Sequence, residues 1–121
     1  MVANLDVQQV EFLQKYHELL EGMSEALEHL DKMTDVNESD IAETLFADLV
    51  KGMQQLHASH DQLVPLLNIE TLNQFDYLVQ SMSKWFENDV DKATLLSDEV
   101  IPAFLEWKKV MDHRIEPFIS H

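Results

Sequence analysis

The sequence predicts an all-α protein, an antiparallel four-helix bundle of up-down-up-down topology made of two similar helical hairpins. Three observations carry that expectation. Apolar residues recur every three or four positions along most of the 121 residues, the period of an amphipathic helix and not of a strand. Two glycines and three prolines leave little material for tight turns, which favours long helices with few connections. The stretch DIAETLFADLVKGMQQL, Asp40 to Leu56, also lies over DKATLLSDEVIPAFLEW, Asp91 to Trp107, as an internal duplication would place it.

The first stripe runs Val10, Leu13, Tyr16, Leu20, Met23, Leu27, Leu30, with Glu11, Glu18, Glu25 and Glu28 on the outer face. Asp6, with Gln9 three residues on, has the spacing of a capping box. The polar segment TDVNESD follows, offering Asn37 or Ser39 as the next cap. The second stripe is Ile41, Leu45, Leu49, Met53, Leu56, Leu63, Leu67, and Pro65 marks where that helix ends or bends. Asn68 is placed to cap a third helix carrying Leu72, Phe75, Val79, Met82 and Phe86. ENDVD breaks the pattern before a fourth stripe of Leu96, Val100, Ala103, Trp107, Met111 and Phe118. Pro102 inside that stripe predicts either a kink or a helix start. The expected organisation is one domain over 1–121, with hairpin 1 about 6–67 and hairpin 2 about 68–119.

Residues equidistant from the turn of an antiparallel hairpin lie level with each other. On that rule Gly22 faces Gly52 across the first hairpin, and Ser81 faces Ala103 across the second. Small residues at both levels predict close helix approach, because helix separation follows side-chain size at the contact.

Charge and composition narrow the function. The chain carries 23 acids against 8 bases, a net charge of −15. Residues 1–48 hold 12 of those acids and 2 of the bases. Such a field repels a phosphate backbone and an anionic lipid surface, so neither nucleic acid nor membrane is the expected partner. With no cysteine, disulfides, zinc thiolates and a cysteine nucleophile are absent. The start MVANLDVQQVEF does not read as a signal peptide, and no apolar run reaches the length of a membrane span, so the expected compartment is the cytoplasm. There is neither a glycine-rich phosphate loop nor a nucleophile elbow. No enzymatic activity and no cofactor are expected.

Two binding readings compete. A di-iron site needs Glu-x-x-His, and no histidine here has that glutamate. The alternative, a metal- or small-molecule-binding bundle, rests on HASHD, with His57 and His60 one turn apart, Asp61 beside them and His17 level with His57 on the first helix. The leading reading is an apolar groove between the third and fourth helices. Leu78 and Trp85 lie beside the stripe of one, and Ile101 and Leu105 beside that of the other. Such a groove would hold a basic, amphipathic protein segment, with Trp85 as anchor, or bury itself against a second copy as a homodimer.

ETLFADLVKGMQQL followed by LLSDEVIPAFLEWKKVMDHRIEPFI resembles short all-helical proteins of Gram-positive bacteria grouped as a domain of unknown function. The shared feature is Pro102, Phe104, Trp107 and Lys108 at the hairpin end. No functional residue transfers with that resemblance. The small, acidic, cysteine-free helical character is also similar to flagellar and secretion export chaperones. That likeness implies a non-enzymatic, chaperone-like interaction module.

Overall fold

The structure is a computed structural model that describes residues 5–67, 69, 72–87 and 89–119. Among the described residues every regular element is helical, so the protein is all-α, with helices of a number and length compatible with a bundle. Helix α1 spans Val7–Lys32. Its capping box forms as the sequence predicts: Asp6 Oδ1 accepts from the Gln9 N–H at 2.8 Å, and Gln9 Oε1 accepts from the Asp6 N–H at 2.9 Å. Helix α2 spans Asp40–Leu67 and starts on Ser39, whose hydroxyl accepts from the Ala42 N–H. Asp40 and Glu43 place negative charge in its first turn, where the helix dipole favours it. Pro65 sits in its last turn, and the helix stops two residues later. Asn68 lies outside the described residues.

Helix α3 spans Asn73–Ser83 and tightens into a 3₁₀ turn over Lys84–Phe86. A connection through Asp89, at φ 62°, leads to Asp91, whose carboxylate accepts from the N–H groups of Ala93 and Thr94. From there one uninterrupted helical stretch runs to residue 119: α4 over Lys92–Leu95, a π turn over Leu96–Val100, and α5 over Ile101–Ile119. Pro102 therefore starts no helix. Its ring would crowd the carbonyl four residues back, which is Asp98, inside the widened π turn. There the Ile101 N–H reaches the Leu96 carbonyl, a five-residue step.

α1 packs against α2 and α5, and α3 packs against α5. Asn37 is no cap. Its side-chain oxygen accepts from the Lys92 N–H at 2.7 Å and its amide donates to Asp91, tying the segment between α1 and α2 to the start of α4. The first stripe is buried from Leu13 to Leu30 as read. In α2, Ile41 is exposed and Leu45 only half-buried, while Ala42 and Phe46 enter the core in their place. A Cβ on Gly52 would meet Met23 and Leu19 of α1, but Gly22 is turned out with nothing within 4 Å of a Cβ added there.

The largest departure is in α3. The core takes Phe75, Leu78, Ser81, Met82 and Trp85, whereas Val79 and Phe86 are 40% and 65% exposed. Both apolar stripes share Phe75 and Met82. At about 100° per residue, Val79 and Phe86 lie on one side of that pair, and Leu78 and Trp85 lie on the other. The indole decides between them. Trp85 stacks on Phe46 with ring centroids 4.1 Å apart and planes 5° from parallel. Its N–H donates to Glu43 at 3.1 Å, and the Lys92 ammonium lies 4.8 Å over the ring while pairing with the same glutamate. In this rotation the Trp85 indole is buried with its N–H satisfied by Glu43.

The two stretches that align in sequence also align in burial. Leu49 and Val100, Gly52 and Ala103, Met53 and Phe104, and Leu56 and Trp107 are all buried. Upstream the match slips by one residue, buried Phe46 corresponding to buried Leu96 and not to exposed Ser97. A π turn inserts one such residue.

Candidate functional site

Because Trp85 is 1% exposed and Leu78 fully buried, the groove expected from Leu78, Trp85, Ile101 and Leu105 does not exist as an open surface. Ile101 is half-buried and Leu105 is 51% exposed, without the other two beside it as an open lining. The rotation of α3 that takes Trp85 inward carries Val79 and Phe86 outward, and the open apolar surface moves with them.

That surface is a groove of about 380 Å³ between α2 and α3. Buried side chains of Met53, Phe75 and Met82 form its floor, and Val79 and Phe86 form its exposed α3 lip. Val50 and His57 line the α2 side. Polar character is confined to Gln54, His57 and Ser83. Two methionines in the floor give it an adaptable contour, since thioether side chains fill irregular shapes with little rotamer penalty. Sequence reading assigned Val79 and Phe86 to the core, and so missed this lip.

Behind the groove lies the most unusual polar group of the core. His60 is 4% exposed. Its Nε2 meets the Tyr16 hydroxyl at 3.0 Å, a contact between α2 and α1. The Phe75 ring lies edge-on to the imidazole at 4.5 Å, and Trp107 reaches it from α5 at 5.7 Å. His60 Nδ1 and Trp107 Nε1 are both buried without a hydrogen-bond partner among the described residues. Burial pushes the His60 imidazolium pKa down and His57 adds to the shift, while Asp76 and Asp61 oppose it. Burial likewise pushes the Tyr16 hydroxyl up.

The metal candidates separate. His57 stacks on Phe75, with centroids 6.1 Å apart and planes 14° from parallel, and its ring is 6.1 Å from that of His60. Asp61 is exposed beside them. His17 is elsewhere, against Asp112 of α5 at 3.2 Å and Glu21 at 3.6 Å. The level rule was one residue off: Tyr16, not His17, is the α1 side chain facing this part of α2. His17, Glu21 and Asp112 do bring three ligand-type atoms within 4.8 Å of one another. The Lys108 ammonium already lies among them, 2.8 Å from Glu21 and 2.6 Å from Asp112. A metal ion there would have to displace an ammonium that hydrogen-bonds both carboxylates. These bonds hold the Lys108 pKa up against the desolvation that would lower it.

What emerges is an all-α domain with a histidine-centred aromatic core and an apolar groove above it. No helix of the described residues is long and apolar enough to cross a membrane. Residues 11–110 match the family described as Domain of unknown function (DUF8042), and the chain belongs to that family. No curated protein and no solved structure matches the chain.

Proposed function

We propose that the protein is a non-enzymatic interaction module, chaperone-like in holding a segment of another protein, and that the segment docks in the α2–α3 groove. The observation that carries this reading is the pair of exposed side chains, Val79 and Phe86, over the buried floor of Met53, Phe75 and Met82. An exposed apolar groove with a polar border is the usual seat of an amphipathic helix. From Phe75 to Phe86 the groove runs along about three turns of α3, enough for anchors at i, i+4 and i+7 of a bound helix.

Charge selects the occupant. A chain of net charge −15 repels a second copy of itself and attracts a basic segment. The partner in this reading is therefore an amphipathic helix with an apolar stripe flanked by lysine or arginine, in the cytoplasm. The likeness to export chaperones in size, acidity and helical content supports the same reading. The architecture that goes with it is an antiparallel up-down-up-down bundle of two related hairpins. It is supported by the bonds between the α1–α2 segment and the start of α4 and by the matched burial of Leu49–Leu56 and Val100–Trp107.

The test uses a helical peptide with leucines at i, i+4 and i+7 and lysines on its flanks, titrated by fluorescence anisotropy. Phe86→Ala should weaken binding about tenfold, the loss of one aromatic contact of about 1.4 kcal/mol, with the far-UV circular dichroism unchanged. Equal affinity of wild type and variant would overturn the groove. A glutamate-flanked peptide with the same leucines should bind more weakly, and raised salt should narrow the gap.

A further inference from the structure

The floor of the groove is continuous with the buried histidine. Phe75 belongs to both: it lines the groove, its ring lies 4.5 Å from that of His60 and 5.2 Å from that of Trp107, and His57 stacks on it from outside. Neutral His60 is accommodated here with one hydrogen bond, to Tyr16. A protonated imidazole is a different object. It carries N–H donors on both nitrogens and a full charge, and the described residues offer its Nδ1 no acceptor.

The charged and titratable surroundings do not repair that. From α1 the facing group is Tyr16, whose oxygen accepts only one of the two N–H groups. From α2 itself come His57 and Asp61, and from α3 comes Asp76. Asp61 and Asp76 attract the charge, yet both side chains are exposed and neither has a hydrogen bond to the ring. From α5 the neighbour is Trp107, a donor with no acceptor to offer. A proton on His60 therefore has to be relieved by movement, and the ring in direct contact that also faces the open groove is Phe75.

We infer that His60 is a proton-sensitive element under the groove, and that protonating it displaces Phe75 and dismantles the groove floor, so that docked partner is released on acidification. This regulation rests on the groove being the docking site. Its structural half does not, because the displacement can be followed with no partner present.

The experiment is an NMR titration of the full chain from about pH 8 down to about pH 4.5, the range in which a buried histidine titrates. It follows the imidazole Cε1–H resonances together with the methyl groups of Met53, Val79 and Met82. The groove methyls should shift with the midpoint of His60 and not with that of His57, while the α1 methyls Leu20 and Leu27 stay in place. Tyr16→Phe removes the one acceptor available to the imidazolium, and should move the His60 midpoint and the groove midpoint to lower pH together. His57→Gln removes the neighbour that holds the His60 pKa down, and should move the His60 midpoint and the groove midpoint to higher pH together. Groove methyls that follow His57, or that stay still while His60 titrates, would overturn the inference. So would a single transition in which all methyls reach unfolded positions at once, because His60 would then act on global stability alone. The basic peptide, added at pH 7.5 and at the low end of the folded range, reports the docking half separately. No binding at either pH counts against the groove reading. Equal binding at both counts against the switch.

Discussion

Helices α1 and α3 were read by the same rule and gave different outcomes. In α1 the stripe from Leu13 to Leu30 is buried as expected. In α3 the stripe was set too far round, so that Val79 and Phe86 were expected inside and Leu78 and Trp85 beside it, the reverse of what the fold does. The difference lies in what borders the apolar residues. Glutamates at 11, 18 and 25 mark the outer limit of α1 on every second turn, with Glu28 about one turn beyond the last. In α3 the apolar arc is wider than the core can cover, and periodicity alone does not say which edge is left out. The edge left out of the core is where a binding surface can form.

The sharpest way to break this comparison is to remove the side chain that fixes the rotation. Trp85→Ala deletes a buried, stacked and hydrogen-bonded indole, and should destabilise the fold by about 3–5 kcal/mol in a urea titration. Phe86→Ala, one residue on and 65% exposed, should stay within about 0.5 kcal/mol of wild type. A large loss at Phe86 and a small one at Trp85 would restore the other rotation.

The next effect is the response of stability to pH. The folded pKa of His60 is depressed by burial, so the native state binds fewer protons there than the unfolded chain. Its contribution is present above the unfolded value of about 6.5 and is lost as pH falls through the lower folded value. The urea midpoint should therefore fall with acidification in that window, and His60→Leu should flatten that part of the profile. A profile that is the same in both proteins would place the dependence on other groups. Tyr16→Phe should cost about 0.5–1.5 kcal/mol at pH 7.5, the ordinary worth of one buried hydrogen bond.

The smallest effect concerns the glycines. Gly22 is exposed with open space where a Cβ would stand, so Gly22→Ala should stabilise α1 by about 0.5–1 kcal/mol in a thermal melt. Gly52 is the one whose Cβ would meet a neighbour, the Met23 sulfur at 3.1 Å. Gly52→Ala should gain less than Gly22→Ala, because Met23 has to give way. Equal gains would mean that the two helices are not in close contact at that level.

Much of the architecture was legible in residue order. The capping box at Asp6, the cap at Ser39, the end of α2 just past Pro65 and the buried small residues Ser81 and Ala103 all follow from local chemistry. Ser81 also held the clue to α3. A stripe centred on Val79 and Phe86 puts Ser81 about 160° away from Val79, on the solvent side, and cannot be reconciled with a close contact there. A stripe centred on Leu78 can. The π turn was not legible, because Pro102 constrains the turn before it without saying how the strain is relieved. Nor was the aromatic setting of His60, whose partners Tyr16, Phe75 and Trp107 come from three other helices. The level rule brought α1 and α2 to within one residue, but one residue on a helix is about 100° of rotation, enough to exchange His17 for Tyr16.

The central claim is that the docking surface lies between α2 and α3 and not between α3 and the last helix. Its most direct test is the lysine-flanked peptide titrated against two variants made side by side, Val79→Asp and Leu105→Asp. Both residues are exposed apolar side chains, one on the α2–α3 groove and one on the surface that residue order alone suggests. Val79→Asp should weaken binding at least about tenfold and Leu105→Asp should leave it within about twofold, a difference of about 1 kcal/mol or more. Loss of binding in Leu105→Asp with retention in Val79→Asp would contradict the account and return the site to the other face of α3.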